Sequence, residues 1–223
     1  MDISGCGMNN INKDIEDKTN FCINVLEDTF SIHFNGPVNK YSMEKLINEL
    51  LKMEILIIKI LKRINEKVNK LNEELKEEIL LSNSIVQLTH NKLHIKLYIT
   101  TFGGCVYNAF NVVDTIKNME IPVYTICKGC VASAGTLISL SGKKRFITKN
   151  SYMLIHELRT GCWGKFSYIK DDFNNSNELM NCIKNYYIEN TKITIKELEE
   201  QLKKDIIWNA DNCLINGLVD EVI

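Results

Sequence analysis

The sequence predicts an α/β fold in which parallel β-strands are joined by helices, with a long helical segment in addition. From Leu93 onward, short β-type runs alternate with helical patterns, as they do in right-handed βαβ units. Small residues, Gly103-Gly104 and Ser133, directly follow two of those runs. Residues 38–102 contain neither glycine nor proline, and much of this stretch has the apolar period of a helix.

Composition is that of an ordinary globular protein. The chain has 223 residues, of which 45% are apolar and 25% charged, enough for one large domain or one domain with an appendage. The formal net charge of −1 gives no sign of a nucleic-acid partner. The first ten residues have no basic region followed by an apolar core, so we do not expect them to form a secretory signal, and no apolar run reaches the roughly 20 residues that span a bilayer. We therefore expect a soluble protein, cytoplasmic or otherwise intracellular.

The eight cysteines are scattered, and several lie in apolar runs, as reduced cysteines of a protein core do. Cys127 and Cys130 form a C-x-x-C pair. A structural zinc site needs four ligands, and no second Cys or His pair stands at metal spacing. No metal site is predicted.

The N-terminal region predicts little regular structure before the main domain. Residues 1–28 are polar and rich in Asn and Asp, which predicts a loose arm ahead of a folded domain over 29–223. Residues 29–34 alternate apolar and polar side chains, as a half-buried strand does. Gly36-Pro37 ends that strand.

Residues 41 to about 80 predict a long helix. Its first half has one apolar face, and its second half repeats apolar residues at alternating steps of three and four. That second pattern is typical of a coiled coil or a helical hairpin, and it consists of Leu61, Ile64, Val68, Leu71 and Leu75. One continuous helix fits it, and so does a bend between 65 and 72. The segment either packs on its own domain or protrudes toward a partner.

The rest of the chain predicts alternating elements. The expected strands are 85–88, 93–99, 121–126, 145–147, 152–155 and 218–223. The expected helices are 107–119, 134–140, 171–190, 196–202 and 210–215.

The stretch C-K-G-C-V-A-S-A-G, residues 127–135, joins a strand to a helix. Its small residues allow a sharp turn, and such a turn lifts a hydroxyl above the sheet. Ser133 is therefore a candidate nucleophile. A serine that caps the following helix fits the same position, and this stretch taken alone favours the cap.

Three features stand at the ends of strands, where α/β sheets place their active sites. They are Gly103-Gly104, Ser133 and His156. Each is a weak signal by itself, since a histidine after an apolar strand is more often structural. Together they offer backbone amides for an oxyanion, a nucleophile and a general base.

With these blocks in order, the sequence resembles the Clp protease proteolytic subunit, a self-compartmentalising serine peptidase. The resemblance covers about 29–51 and 93–223, through F-S-I-H-F-N-G-P-V, L-Y-I-T-T-F-G-G-C-V-Y-N-A-F, V-Y-T-I-C-K-G-C-V-A-S-A-G, N-S-Y-M-L-I-H and G-L-V-D-E-V-I. It implies a ClpP/crotonase-like spiral of ββα units with a long handle helix, the handle region being about 157–190. Residues from about 60 to 84 are then an extra helical, coiled-coil-like insertion.

The resemblance also implies a Ser-His-Asp triad. Ser133 takes the nucleophile position, His156 that of the general base, and Asp205 that of the acid that orients the imidazole. Asp220, in G-L-V-D, competes for the last role but does not match the family's triad acid. The backbone N–H groups of Gly104 and Ala134 take the oxyanion-hole positions.

The assembly that the resemblance implies is a pair of stacked heptameric rings whose active sites face a closed chamber. An ATP-driven unfoldase of the AAA+ class feeds unfolded polypeptides into it. The chain has no P-loop, so ATP belongs to the partner and this subunit has no cofactor. Neither nucleic acid nor a membrane is an implied partner.

The sequence departs from the family at several places. The insertion at about 60–84 puts unfoldase binding and ring size in question. Thr100-Thr101-Phe102 stands where the family has N-S-P, and Glu157-Leu158 stands where it has Gln-Pro. If Glu157 points inward, it raises the pKa of His156 by stabilising the imidazolium.

Three alternatives remain open. A catalytically inactive ring subunit is disfavoured because Ser133, His156 and Asp205 are all retained. A crotonase-fold enzyme acting on acyl-CoA thioesters needs oxyanion glycines but no triad, and it requires coenzyme A. A membrane-associated signal-peptide peptidase uses Ser and Lys, and it is disfavoured because no membrane segment is predicted.

Overall fold

Residues 21–75 and 93–223 are described by a computed structural model of the chain. In this part of the chain the strands are β1 (Cys22–Leu26), β2 (Ser31–Asn35), β3 (Ile95–Thr101), β4 (Val123–Ala132), β5 (Lys144–Ile147), β6 (Tyr152–Leu154), β7 (Trp208–Asn209) and β8 (Glu221–Val222). The α-helices are α1 (Lys40–Leu75), α2 (Val106–Asn118), α3 (Ala134–Leu140), α4 (Phe166–Asn190), α5 (Ile195–Leu202) and α6 (Ala210–Ile215).

The strands form one mainly parallel sheet with the order β1-β2-β3-β4-β5-β8. Neighbours from β2 to β8 along this path run parallel, and β1 is antiparallel to β2 at the edge. β6 pairs with β4 in parallel, and β7 pairs with β6 in the antiparallel direction. The predicted α/β class with parallel strands is confirmed.

Strand β4 pairs with two different strands on the same side. Its residues 124–127 pair with β5, and its residues 130–132 pair with β6. On the β3 side the register shifts between Ile99↔Cys127 and Thr101↔Val131, so the strand carries a bulge. Gly129 lies in this bulge with a φ of 69°, a left-handed conformation that glycine adopts without strain. The bulge allows β4 to leave β5 and continue beside β6.

Helices α1, α2 and α3 cover the sheet and enclose the core. The buried side chains of α1 recur at steps of three and four along one face, namely Met43, Leu46, Leu50, Met53, Ile57 and Leu61. Glu54 accepts hydrogen bonds from the backbone N–H groups of Glu120 (2.6 Å) and Ile121 (3.2 Å). This contact joins α1 to the loop that leads into β4.

The long helix is continuous through Leu75, with no interruption between residues 65 and 72. Among the described side chains of α1, Leu61 is the last buried one, and Leu71 is 54% exposed. The remainder of the predicted helix and insertion, the predicted strand 85–88, and residues 1–20 of the predicted arm lie outside the described residues. No helix in the described ranges is long and apolar enough to cross a membrane.

Two predictions about the strands were wrong. Part of the expected loose arm forms β1, whose side chains alternate between exposed and half-buried. It lies at the edge of the sheet, where it pairs antiparallel with β2. The strand predicted to end at residue 126 continues to Ala132, because Lys128 and Gly129 form a bulge and not a turn.

Two further boundaries differ. Helix α4 begins at Phe166, five residues before its predicted start, and residues 166–170 are all exposed, so this first part of the helix adds nothing to the core. The last predicted strand, 218–223, contains only the short β8, because just Glu221 and Val222 pair with β5.

Neighbouring leucines of α1 provide a test of the packing. Leu50 is 0% exposed and Leu51 is 39% exposed. We expect Leu50→Ala to lower the free energy of unfolding by about 3 kcal/mol, because it leaves a cavity in the core. Leu51→Ala removes the same atoms from a partly solvated site and should lower it by less than about 1 kcal/mol. Urea denaturation at equal protein concentration measures both, and equal losses would show that the assigned helix face is wrong.

Candidate active site

Ser133 occupies a strained turn between β4 and α3. Its φ of 58° and ψ of −130° lie in a region that residues with a side chain rarely adopt. It is the residue that precedes the helix, but its side chain makes no capping hydrogen bond. The capping role suggested by the sequence is therefore not what the hydroxyl does. The side chain is largely buried, with 5% of the residue exposed.

Hydrogen bonds on both sides hold the backbone of Ser133. Its N–H donates to the carbonyl of Leu154 at 2.8 Å. Its carbonyl accepts from the N–H of Thr136 (3.0 Å) and from the Thr136 hydroxyl (2.6 Å). Thr136 also hydrogen-bonds the hydroxyl of Tyr187, a fully buried residue of α4. These contacts compensate for the unfavourable dihedral angles of the turn.

Gly103 is in close contact with this turn. A Cβ atom on Gly103 would lie 2.5 Å from the Cβ of Ser133 and 2.8 Å from the carbonyl oxygen of Ala132. Gly103 also has a φ of 93°. Both facts require glycine here, and they explain why the loop after β3 can approach Ser133 so closely.

His156 follows β6, the strand beside the end of β4. The pair Ala132↔Leu154 places Ser133 level with Ile155, one residue before His156. His156 is 7% exposed, and burial is the main cause that lowers its pKa below the ordinary value of a histidine. The condition for the predicted effect of the Glu157 charge is not met, because Glu157 is exposed, and the net shift of the His156 pKa is downward.

Gly104 lies in the chain segment that continues β3. It forms a parallel bridge with Val38, whose N–H donates to Gly103 (2.8 Å) and whose carbonyl accepts from Cys105 (2.7 Å). In a parallel ladder these bonds belong to the residues that flank Gly104, so its own N–H points away from β2. The neighbour on that other side is β4, which ends at Ala132, directly before Ser133.

Ala134 provides a second amide at the same turn. It is the first residue of α3, where an N–H has no acceptor within the helix. The helix N-terminus also carries a partial positive charge. The structure thus brings Ser133, His156, Gly104 and Ala134 together at the carboxyl ends of β3, β4 and β6.

Asp205 lies in the loop between α5 and β7. The antiparallel pairs Tyr152↔Asn209 and Met153↔Trp208 bring this loop beside the chain segment that leads to His156, and the charge of Asp205 acts on the imidazole. In this structure the Asp205 carboxylate binds Arg159, whose Nη2 donates to both carboxylate oxygens at 2.9 and 3.1 Å. Its charge favours the protonated form of His156, although more weakly than Arg159 disfavours it.

Asp220, the competing acid, lies elsewhere. Its carboxylate accepts hydrogen bonds from the side chain and backbone N–H of Arg145, at the start of β5. Partial burial opposes ionisation, but the contacts with Arg145 lower the pKa of Asp220 overall. Arg145 pairs with Thr125, eight positions before Ser133 along β4, or about 25 Å in strand length. Asp220 is therefore remote from the turn.

The C-x-x-C pair shows no metal arrangement. Cys127 is buried, and burial raises the pKa of its thiol to about 12. Cys130 lies in the bulged part of β4 and is half-buried. Within residues 21–75 and 93–223, no group of three or more His, Cys, Asp or Glu side chains could hold a metal ion.

A family model described as Clp protease matches residues 55–223, about three-quarters of the chain. The chain belongs to the Clp protease family. This membership implies a serine peptidase, and the sheet of mostly parallel strands with its long helix is consistent with the family fold. Peptidases of the Clp protease family need no cofactor.

Sequence reasoning missed two contacts around this turn. The support of Ser133 by Thr136 has a local signal, a hydroxyl three residues after the serine at a helix start. The pairing of Arg159 with Asp205 joins residues that are far apart in the chain, and no sequence pattern indicates it.

The backbone of Ser133 predicts an unusual order of stabilities. We expect Ser133→Gly to be more stable than Ser133→Ala by about 1 kcal/mol, because glycine adopts the observed φ and ψ without strain. Urea denaturation of both variants measures this difference. Ser167, on an exposed turn of α4, is the control, and there the alanine variant should be the more stable one. The strain assignment fails if alanine is also the better residue at Ser133.

Proposed function

We propose that this protein is a subunit of an ATP-dependent Clp-type serine endopeptidase. It hydrolyses peptide bonds of unfolded proteins through an acyl-enzyme, inside a chamber formed by rings of subunits. The observation that carries the proposal is the strained Ser133, hydrogen-bonded to the strand that leads to a buried His156, in a chain of the Clp protease family.

In this mechanism the Ser133 Oγ attacks the peptide carbonyl while His156 accepts its proton. The N–H groups of Gly104 and Ala134 stabilise the oxyanion of the tetrahedral intermediate. His156 then protonates the leaving amine, and a water molecule repeats the sequence to release the acyl group. Asp205 stabilises the imidazolium. The lowered pKa of His156 supports its role as a base, because the imidazole is then neutral near pH 7.

Exposed apolar residues support the proposed assembly. Helix α4 exposes Phe166, Ile169 and Phe173, which lie at helical spacing on one side. Trp163, just before the helix, is 94% exposed. Surfaces of this kind are typical of protein interfaces. We propose that α4 is the handle through which two heptameric rings stack, and that an AAA+ unfoldase supplies substrate.

A second candidate is a ring subunit without peptidase activity. The contact of Asp205 with Arg159 favours it, since this carboxylate is bound to a cation. The two candidates differ in whether Ser133 is reactive in the assembled protein.

Labelling with a fluorophosphonate probe tests the proposal on the purified full chain. We expect the probe to modify Ser133, and native mass spectrometry to show a complex of about fourteen subunits. Ser133→Ala should abolish labelling and lower kcat for peptide hydrolysis by a factor on the order of 10⁴ to 10⁶. Asp205→Asn should lower it by roughly 10⁴. An assembled ring in which Ser133 takes no label supports the inactive subunit instead.

The proposed handle contact has a separate test. We expect Phe173→Glu to halve the native mass, because a charge in an apolar ring–ring contact is left without a partner. Ile215→Glu is the control, since Ile215 is also exposed, at 70%, but lies on α6. If Phe173→Glu keeps the full mass, this part of α4 does not hold the rings together.

A further inference from the structure

Arg159 and Asp205 form an ion pair beside His156. One guanidinium nitrogen, Nη2, lies 2.9 Å from one carboxylate oxygen and 3.1 Å from the other. Both oxygens of the carboxylate therefore accept hydrogen bonds from the same cation. Nothing in the reaction proposed above requires Arg159.

Two contacts bring the segments that carry His156 and Asp205 together. Before them, β6 pairs with β7 at Met153↔Trp208. Beyond them, the N–H of Glu157, the residue after His156, donates to the carbonyl of Leu202 at 2.8 Å, so Asp205 lies between the two contacts. Arg159 thus contacts the carboxylate from the segment that directly follows His156.

We propose that Arg159 is a positioning residue that restrains peptide hydrolysis by competing with His156 for the Asp205 carboxylate. The inference rests on the proposed function, because it assigns Asp205 to the support of His156. When Arg159 holds the carboxylate, less of its charge and fewer of its lone pairs are available to the imidazolium.

The charges around His156 agree with this competition. Burial is the largest cause that lowers the pKa of His156, and Arg159 also lowers it, while Asp205 and a backbone hydrogen bond with Glu157 act to raise it. The cation and the carboxylate therefore act on the same imidazole in opposite directions. The aspartate can assist the general base only to the extent that no other cation neutralises the charge of its carboxylate.

The contact is also weak enough to open. The side chains of Arg159 and Asp205 are 64% and 61% exposed. Exposed ion pairs contribute little to stability, so the fold does not depend on this one. The contact can thus hold the carboxylate in one state of the protein and release it in another.

Steady-state kinetics on a short fluorogenic peptide provide the test. We expect Arg159→Gln to raise kcat by about 2- to 5-fold at pH 8, the range of an exposed ion pair, with KM unchanged. Arg159→Lys should stay close to the parent protein, because a single nitrogen makes both contacts in the structure. Lys52→Gln removes an equivalent charge from the exposed pair with Glu49 and should leave kcat unchanged.

The pH profile and a double mutant separate competition from a purely structural role. Arg159→Gln should move the acid limb of kcat/KM to higher pH, since the loss of a nearby cation raises the pKa of His156. In the Asp205→Asn background the gain in kcat should disappear. A gain that persists there, or a kcat that does not rise in Arg159→Gln, overturns the inference.

A titration by NMR tests the contact independently of activity. The chain has four histidines, so the loss of one signal in His156→Gln assigns the resonance. Arg159→Gln is added to two backgrounds, Ser133→Ala and Ser133→Ala with Asp205→Asn. It should raise the pKa of His156 in the first background, and by more than in the second. Equal shifts in the two backgrounds overturn the inference. The two hypotheses can also fail separately. If the pKa of His156 rises more when Asp205 is present, but the serine probe does not label Ser133, the competition is supported and the proposed function fails.

Discussion

The bulge in β4 is the constraint on which the rest of the structure depends. Without the extra residues around Gly129, β4 would remain paired with β5 and end away from β6. Two side-chain contacts hold the bulge, from the Thr100 hydroxyl to the Lys128 carbonyl (2.8 Å) and from the Gly129 N–H to the Ser151 hydroxyl (2.7 Å). By changing neighbours within one strand, the sheet places the end of β4 beside the strand that leads to His156.

Strain at Ser133 is tolerated because its surroundings determine it from several directions. Gly103 leaves no room for another side chain, Thr136 holds the carbonyl, and Leu154 accepts the N–H. Each contact comes from a different element of the fold. A strained residue persists when its neighbours over-determine its conformation, and a hydroxyl held in this way does not need to reorganise before it reacts.

Much of this arrangement can be predicted from local sequence. Helices α3 and α6 were predicted with the observed bounds, since small residues or a capping residue precede a short helical run. Ser133 and His156 can be selected because parallel strands bring their carboxyl ends to one edge of a sheet.

Other features depend on contacts between distant parts of the chain. An edge strand such as β1 has no strong pattern of its own, and a bulge at Lys128 and Gly129 resembles a turn when its neighbours are unknown. The partner of Asp205 cannot be predicted locally either, because any nearby cation could reach an exposed carboxylate. Tertiary contacts decide these features, and the local periodicity of the sequence carries no information about such contacts.

The long helix α1 also has a mechanical consequence. Its 36 residues extend over about 54 Å, and the part beyond Leu61 measures roughly 20 Å. Such a rod acts as a lever whose fulcrum is the buried stretch around Met53 and Glu54. The arm from Glu54 to Leu75 measures about 32 Å, so a tilt of about 10° at the fulcrum moves the far end by roughly 5 to 6 Å. Force applied at that end reaches Glu54, and through its hydrogen bonds to Glu120 and Ile121 it reaches the start of β4, the strand that leads to Ser133.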